Sequence, residues 1–225
     1  MEAILAALAP IVPFVLPYCE ALGLHVCNPG PVCRFANAVC ARFCYARNSV
    51  RRWKNTVNSV TGRQYMLEAI QRDAARWMLW APMHFRKYAR VRIASRFEPL
   101  NTREDVEQVR SWVVGAPDTL FWIVTRCWID PTIRQLVQDR IMCEPNARVL
   151  GSIDRLTTQA QYDALVADGW STMGVWNRNP NFVHPFNPQA VRCVKTFGKV
   201  KGACKTCNAG CFNPARTDVH LLLHS

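Results

Sequence analysis

Between residues 121 and 150 the chain reads FWIVTRCWIDPTIRQLVQDRIMCEPNARVL. The apolar run Phe121-Trp122-Ile123-Val124 reads as a strand. Asp130-Pro131 then gives a helix start, a capping residue followed by proline at the first helical position. Ile133, Leu136, Val137 and Ile141 form the buried face of that helix, and Arg148-Val149-Leu150 is the next strand. The same alternation extends both ways. Upstream, Val91-Arg92-Ile93-Ala94 reads as a strand. Thr102, with Asp105 three residues on, caps a helix whose apolar stripe is Val106, Val109, Trp112 and Val113. Downstream, Thr158 to Gln161 starts a third helix and Thr172-Met173-Gly174-Val175 is a fourth strand. Three successive β-α-β units imply parallel strands joined by right-handed crossovers. The sequence therefore predicts an α/β protein, an incomplete or small (β/α) barrel, with an open α/β sheet as the second arrangement.

Such layouts place chemistry at the C-terminal ends of the strands. Those ends carry Ser95 and Arg96, Thr125 and Arg126, Ser152 and Asp154, and Trp176 and Asn177. Turns are polar in any protein, so the set carries more weight than any member.

The flanks are different in kind. Residues 1–61 are irregular and rich in Pro, Asn and Cys. A helix follows from about Gly62 to Trp80, with Tyr65, Met66, Ala69, Ile70, Trp77 and Met78 as its core positions. After the β/α core, spanning 62–179, residues 180–225 return to loop-like composition. At 225 residues the chain is long enough for one domain with a sizeable core, and 1–225 is read as a single domain.

Eight of the eleven cysteines lie in those flanks in two groups. The first is Cys27, Cys33, Cys40 and Cys44. The second is Cys193, Cys204, Cys207 and Cys211. Gaps of two or three residues let one loop present several thiolates to one metal centre, as both zinc and iron–sulfur sites require. Gly202 and Gly210 allow tight turns in the second group, and Lys199, Lys201 and Lys205 offset thiolate charge. Zinc usually shows paired two-residue knuckles. Sulfur-only groups with longer gaps point to an iron–sulfur cluster, 4Fe-4S, with zinc as the alternative. Cys19, Cys127 and Cys143 stand alone and read as buried thiols. The histidines, His25, His84, His184, His220 and His224, are scattered, and no HExxH pair supports a zinc hydrolase.

The apolar N-terminus lacks a basic start and is broken by Pro10, Pro13 and Pro17, so a signal peptide is not expected. No apolar run reaches the roughly 18 residues of a membrane span. A reducing cytoplasm, in which clustered cysteines serve metals, is the expected location.

The net charge of +12 is concentrated. Residues 34 to 96 hold fourteen Lys and Arg against Glu68 and Asp73, a net charge equal to that of the whole chain. Such a block fits an acidic partner, nucleic acid or an acidic protein. Arg47, Arg51, Arg52, Trp53 and Lys54 combine guanidinium and ammonium groups for phosphate contact with an aromatic ring for base stacking. A solvated Arg-rich helix face is the plain alternative.

Leu16-Pro17, Cys27-Asn28-Pro29-Gly30 and Cys40-Ala41-Arg42-Phe43-Cys44-Tyr45-Ala46 resemble the opening signature of the phage and plasmid gene product 88 domain family. The run from Gly198 to Phe212 resembles that family's Cys-rich ending. Asn28 interrupts the family's Cys-Pro-Gly, and Ala94-Ser95-Arg96 replaces its acidic strand ending. The resemblance implies a phage or mobile-element metalloprotein, which makes the cytoplasm expected above a host cell's and the acidic protein partner of the basic block a host protein.

Two functions compete. One is an iron–sulfur protein with a binding or regulatory role, its basic block on nucleic acid or an acidic partner. The other is a radical-SAM-like enzyme, in which three cysteines leave one iron of a cubane open. For the latter Cys40 and Cys44 are present, but Arg47 stands where the third cysteine belongs, so Cys27 or Cys33 must complete the site.

Overall fold

The alternation read from the sequence is realised in a computed structural model that describes residues 18–19, 24–27, 34–38, 85–93, 98–198, 200, 202–208 and 210–222, the first two segments as backbone. Among the described residues eight strands run β1 (Tyr18–Cys19), β2 (Leu24–Cys27), β3 (Arg90–Ile93), β4 (Leu120–Thr125), β5 (Ala147–Ile153), β6 (Ser171–Val175), β7 (Val191–Arg192) and β8 (Asp218–Leu221). Helices α1 (Arg103–Gly115), α2 (Pro131–Val137) and α3 (Gln159–Ala167) bridge β3 to β4, β4 to β5 and β5 to β6, and α4 (Val194–Phe197) follows β7.

The capping residues act as their chemistry dictates. The Thr102 hydroxyl accepts from the Asp105 amide while the Asp105 carboxylate accepts from the Thr102 amide, a reciprocal box. Thr158 and Gln161 repeat it on α3. Asp130 accepts from the Thr132 and Ile133 amides, with Pro131 at the first helical position, where its missing N–H costs nothing.

The strands lie in the order β1-β2-β3-β4-β5-β6-β8-β7, with β1 and β7 at the edges. Only the β1–β2 pair is antiparallel. From β2 to β6 the order never reverses, and the three bridging helices cover one face. On that face Val91, Ile93, Phe121, Ile123, Val149 and Ile153 pack against Val106, Trp112, Ile133, Val137 and Leu165. Side chains alternate across a strand, so Trp122, Leu150, Met173 and Val219 face the other way. There they form a second core with Phe212.

Two expectations are corrected. The N-terminal flank is not wholly irregular, since β1 and β2 extend the sheet from it. The C-terminal flank likewise contributes β8, paired with β6 by four register partners. At four residues, β8 is too short to announce itself among the surrounding Pro, Asn and Gly. It becomes a strand because β6 offers an unpaired edge. The predicted helix over 62–80, together with Ser95 and Arg96, lies outside the described residues.

Candidate functional site

The second core is where the C-terminal cysteines gather. Cys193, Cys204 and Cys211 pack against the group around Trp122 and Met173, and the side chains of Cys193, Cys204, Cys207 and Cys211 are half-buried. Gly202 and Gly210 turn the loop with φ of +73° and +79°, the left-handed conformation that glycine adopts without penalty. One arginine of β3, Arg90, holds the loop to the sheet, and a second, Arg92, lies beside it. The Arg90 guanidinium donates to the Cys207 carbonyl at 2.8 Å and the Cys204 carbonyl at 3.4 Å, bonds the Asn208 side chain, and lies 4.7 Å from the Phe212 ring centre. Arg92 lies over the Trp122 ring at 4.3 Å.

Burial sets the chemistry of these thiols. It pushes Cys204 up to about 11, with repulsion from Cys193 and Cys207 adding to the rise while Arg92 and Lys195 oppose it. Cys211 is raised further by burial and by the other three thiols, again opposed by Arg92. Cys204 and Cys211 therefore hold protons that a thiophilic cation would displace. Soft donors, mutual repulsion and adjacent cations suit such an ion. Among the described residues, however, no three His, Cys, Asp or Glu side chains are placed to hold one metal together. The loop gathers the thiols without closing them on one point.

A glycine pair tests how much the loop depends on its seat. A Cβ on Gly210 would fall 2.6 Å from Val219 Cγ2, whereas one on Gly202 would meet nothing within 4 Å. Both substitutions carry left-handed strain of roughly 1–2 kcal/mol, and Gly210→Ala adds an overpacking cost of about 1–3 kcal/mol. Urea unfolding should therefore show the larger loss for Gly210→Ala, with faster alkylation of Cys211. Equal losses for the two would contradict the seating of the loop on Val219.

A second polar group occupies the C-terminal ends of the strands. The buried Glu98 carboxylate accepts from the Arg126 amide at 2.7 Å, the Leu100 amide at 3.1 Å and the Thr125 hydroxyl at 2.5 Å. Burial raises it to about 7, against the lowering effect of those donors and the Arg126 charge. The Arg126 guanidinium donates to Asp154 at 2.8 Å in a buried ion pair, and Asn37 donates to the same oxygen at 3.0 Å. The Arg126 Nε is buried without a hydrogen-bond partner among the described residues. Thr125, Arg126 and Asp154, flagged at the strand ends, thus meet in one network. Glu98 was missed because it lies five residues beyond β3.

The histidines are not all scattered. His184 and His220, both buried, lie with ring centres 5.9 Å apart. The Asn187 amide donates to His184 Nδ1 at 3.0 Å, so the neutral ring carries its proton on Nε2. Burial holds His184 down to about 4. Thirty-odd residues of intervening chain hide this pair from any reading of spacing.

The lone cysteines divide. Cys127 is buried as expected, and its thiol is raised by that burial. Cys143 is exposed, a correction. It ends a turn at the solvent side of the helix following α2, where its thiol bonds the Asp139 carbonyl at 3.2 Å. Of the N-terminal group, Cys27 ends β2 as backbone, and Cys33, Cys40 and Cys44 lie outside the described residues, as do Arg47, Arg51, Arg52, Trp53 and Lys54. The described arginines of the basic stretch largely serve the fold. Arg34 bonds Asn101 and pairs with Asp130, Arg86 caps the Gly115 carbonyl, and Arg90 and Arg92 bind the cysteine loop face.

No family model matches the chain, and no curated protein or solved structure matches it. No described helix is long and apolar enough to cross a membrane.

Proposed function

We propose that this protein is a sulfur-ligated metal protein with a binding or regulatory role, carrying an iron–sulfur cluster, 4Fe-4S, with zinc as the alternative. The observation that supports it is the gathering of Cys193, Cys204, Cys207 and Cys211 on one sheet face, beside Arg92 and Lys195 and under the clamp of Arg90. Thiolates crowded together repel, and a bound cation relieves that repulsion. The final closure of the loop belongs to metal binding, which in small cysteine sites is coupled to folding. Cys27, Cys33, Cys40 and Cys44 are the ligands of the second group in this reading. The resemblance of both cysteine runs to the gene product 88 domain family supports a phage or mobile-element origin and a place in the host cytoplasm.

The basic block supplies the binding role. With Arg34, Arg86, Arg90 and Arg92 engaged within the fold, contact with nucleic acid or an acidic host protein falls to Arg47, Arg51, Arg52, Trp53 and Lys54.

One experiment tests both parts. Anaerobically purified protein should be brown, with the charge-transfer absorbance of thiolate-bound iron. Cys207→Ser should lower metal content and solubility, whereas the exposed Cys143→Ser should not. Because the thiols of Cys204 and Cys211 are raised, metal uptake should release protons and weaken as pH falls. On DNA or RNA, affinity should fall with salt by a log–log slope of about −0.9 per phosphate contact on duplex. Replacing Arg51, Arg52 and Lys54 by Ala should flatten that slope and leave the metal alone. Colourless, metal-free protein sinks the cofactor. Absence of salt-dependent binding moves the partner to an acidic protein.

A second reading, a radical-SAM-like enzyme, is favoured by one observation. The strand order is unreversed with helices on one face, as in the wall of a (β/α) barrel, and a carboxyl titrating near neutrality sits at the strand ends where such folds place their chemistry. An incomplete barrel is the matching fold proposal. Reductive cleavage of S-adenosylmethionine by the reduced protein decides between the two readings.

A further inference from the structure

At the opposite ends of the strands, where β5 and β6 begin, a cavity of ≈ 120 Å³ opens beside Cys211. Its polar side chains are Arg148, Ser171, Asn213 and Arg216, and no carboxylate lines it among the described residues.

Each of these side chains has its hydrogen-bonding direction fixed. Ser171 Oγ accepts from the Thr217 amide at 3.0 Å, so its own proton is left to donate. Asn213 Oδ1 accepts from the Ala215 amide at 2.9 Å, which leaves its NH₂ as the free end. Arg148 donates through one Nη to the Pro145 and Ala147 carbonyls at 2.8 and 2.7 Å. Its Nε is buried without a partner, and it pairs with no carboxylate among the described residues. Arg216 is held through its other end, one Nη bonding both oxygens of the buried Asp218 at 2.9 and 3.1 Å. The polar lining therefore offers donors, its side-chain acceptors being occupied by the chain's own amides.

A partly desolvated guanidinium without a counter-ion is costly unless an anion completes it. Burial already depresses the Arg148 guanidinium. Two arginines pinned by carbonyls and a carboxylate lose little freedom on binding, which is what favours a planar fork gripping a tetrahedral oxyanion. The volume suits one such group and is well below the roughly 300 Å³ at which pockets for whole small molecules begin.

We propose that this cavity is a binding site for a phosphate group, gripped by Arg148 and Arg216 with Ser171 and Asn213 completing the donor ring. The group is either free inorganic phosphate or the terminal phosphate of a small phosphomonoester. The proposal is independent of the metal and of the basic block, although Cys211 borders both sites.

Calorimetric titration of the full chain as purified, at constant ionic strength, tests it with two probes, inorganic phosphate and adenosine monophosphate. Saturable binding of inorganic phosphate assigns a free anion. Binding of the monophosphate alone, or more tightly, assigns an ester. Arg148→Gln should weaken the preferred probe at least about tenfold, as loss of a charge-assisted hydrogen bond gives. Arg148→Lys, which keeps the charge but loses the fork, and Ser171→Ala should each weaken it less. Arg178→Gln, at an exposed arginine outside the cavity lining, should change nothing. If Arg148→Gln fails to fold, Arg148→Lys and Ser171→Ala carry the test. Failure of both probes to bind, or wild-type affinity in the Arg148 variants, overturns the proposal.

Discussion

Asp154→Ala should cost about 3–5 kcal/mol of stability, the loss expected when one partner of a buried ion pair is removed. Both side chains are shielded, at 10% and 7% exposure for Arg126 and Asp154. The variant leaves the guanidinium desolvated, with its Nε already unpartnered. It also removes the bonds that Asp154 accepts from the Asn37 side chain at 3.0 Å and the Leu156 amide at 2.9 Å. Replacing both partners together, Arg126→Met with Asp154→Leu, should recover part of the loss because no lone charge remains. Recovery stays partial, since the double variant still lacks the acceptor that Asp154 gives Asn37 and the Leu156 amide. Chemical denaturation of the two singles and the double measures this directly. A double variant no more stable than Asp154→Ala would show that the cost lies in those neutral donors and not in the charge.

The pH dependence of stability should change slope when Glu98 is replaced. The Glu98 carboxyl is raised from 4.5 to about 7, so within that window the folded protein holds a proton that the unfolded chain has released. Its contribution is complete below pH 4.5 and is lost as pH rises to 7. At about 1.4 kcal/mol per unit this amounts to roughly 3 kcal/mol. His184 works the other way. Its folded value of about 4 lies below the ordinary 6.5, so its contribution is present above 6.5 and is lost as pH falls towards 4. The two slopes oppose each other where their windows overlap. Glu98→Gln should therefore make stability rise more steeply with pH than in the wild type. His184→Asn, which can still accept from the Asn187 amide, should make it fall. Urea unfolding across that range decides, and an unchanged slope in Glu98→Gln would refute the buried, protonated carboxyl.

These groups mark where the sequence stops being legible. The capping pairs Thr102–Asp105, Asp130–Pro131 and Thr158–Gln161 were readable because a helix end is chemistry within three or four residues, and all three cap as read. The core strands were readable from apolar runs of local period, and β3 to β6 fall within three residues of their expected ends. The polarity of the strand ends was visible, but the ion pair between Arg126 and Asp154 spans 28 residues and had no local sign. Cys143 shows the converse error, a lone cysteine read as buried that faces solvent.

The sequence alone determined the α/β alternation, the starts of the three bridging helices, the two cysteine groups and the concentration of positive charge, since each depends on residues close together in the chain. Only the tertiary structure decided that β8 enters the sheet and that the bridging helices share one face. It also decided that Arg90 of β3 clamps a cysteine loop more than a hundred residues away and that His184 meets His220. Those outcomes depend on which strand edge and which face remain to be covered once the local elements have formed. That competition is settled by buried area and unpaired hydrogen bonds across the whole fold.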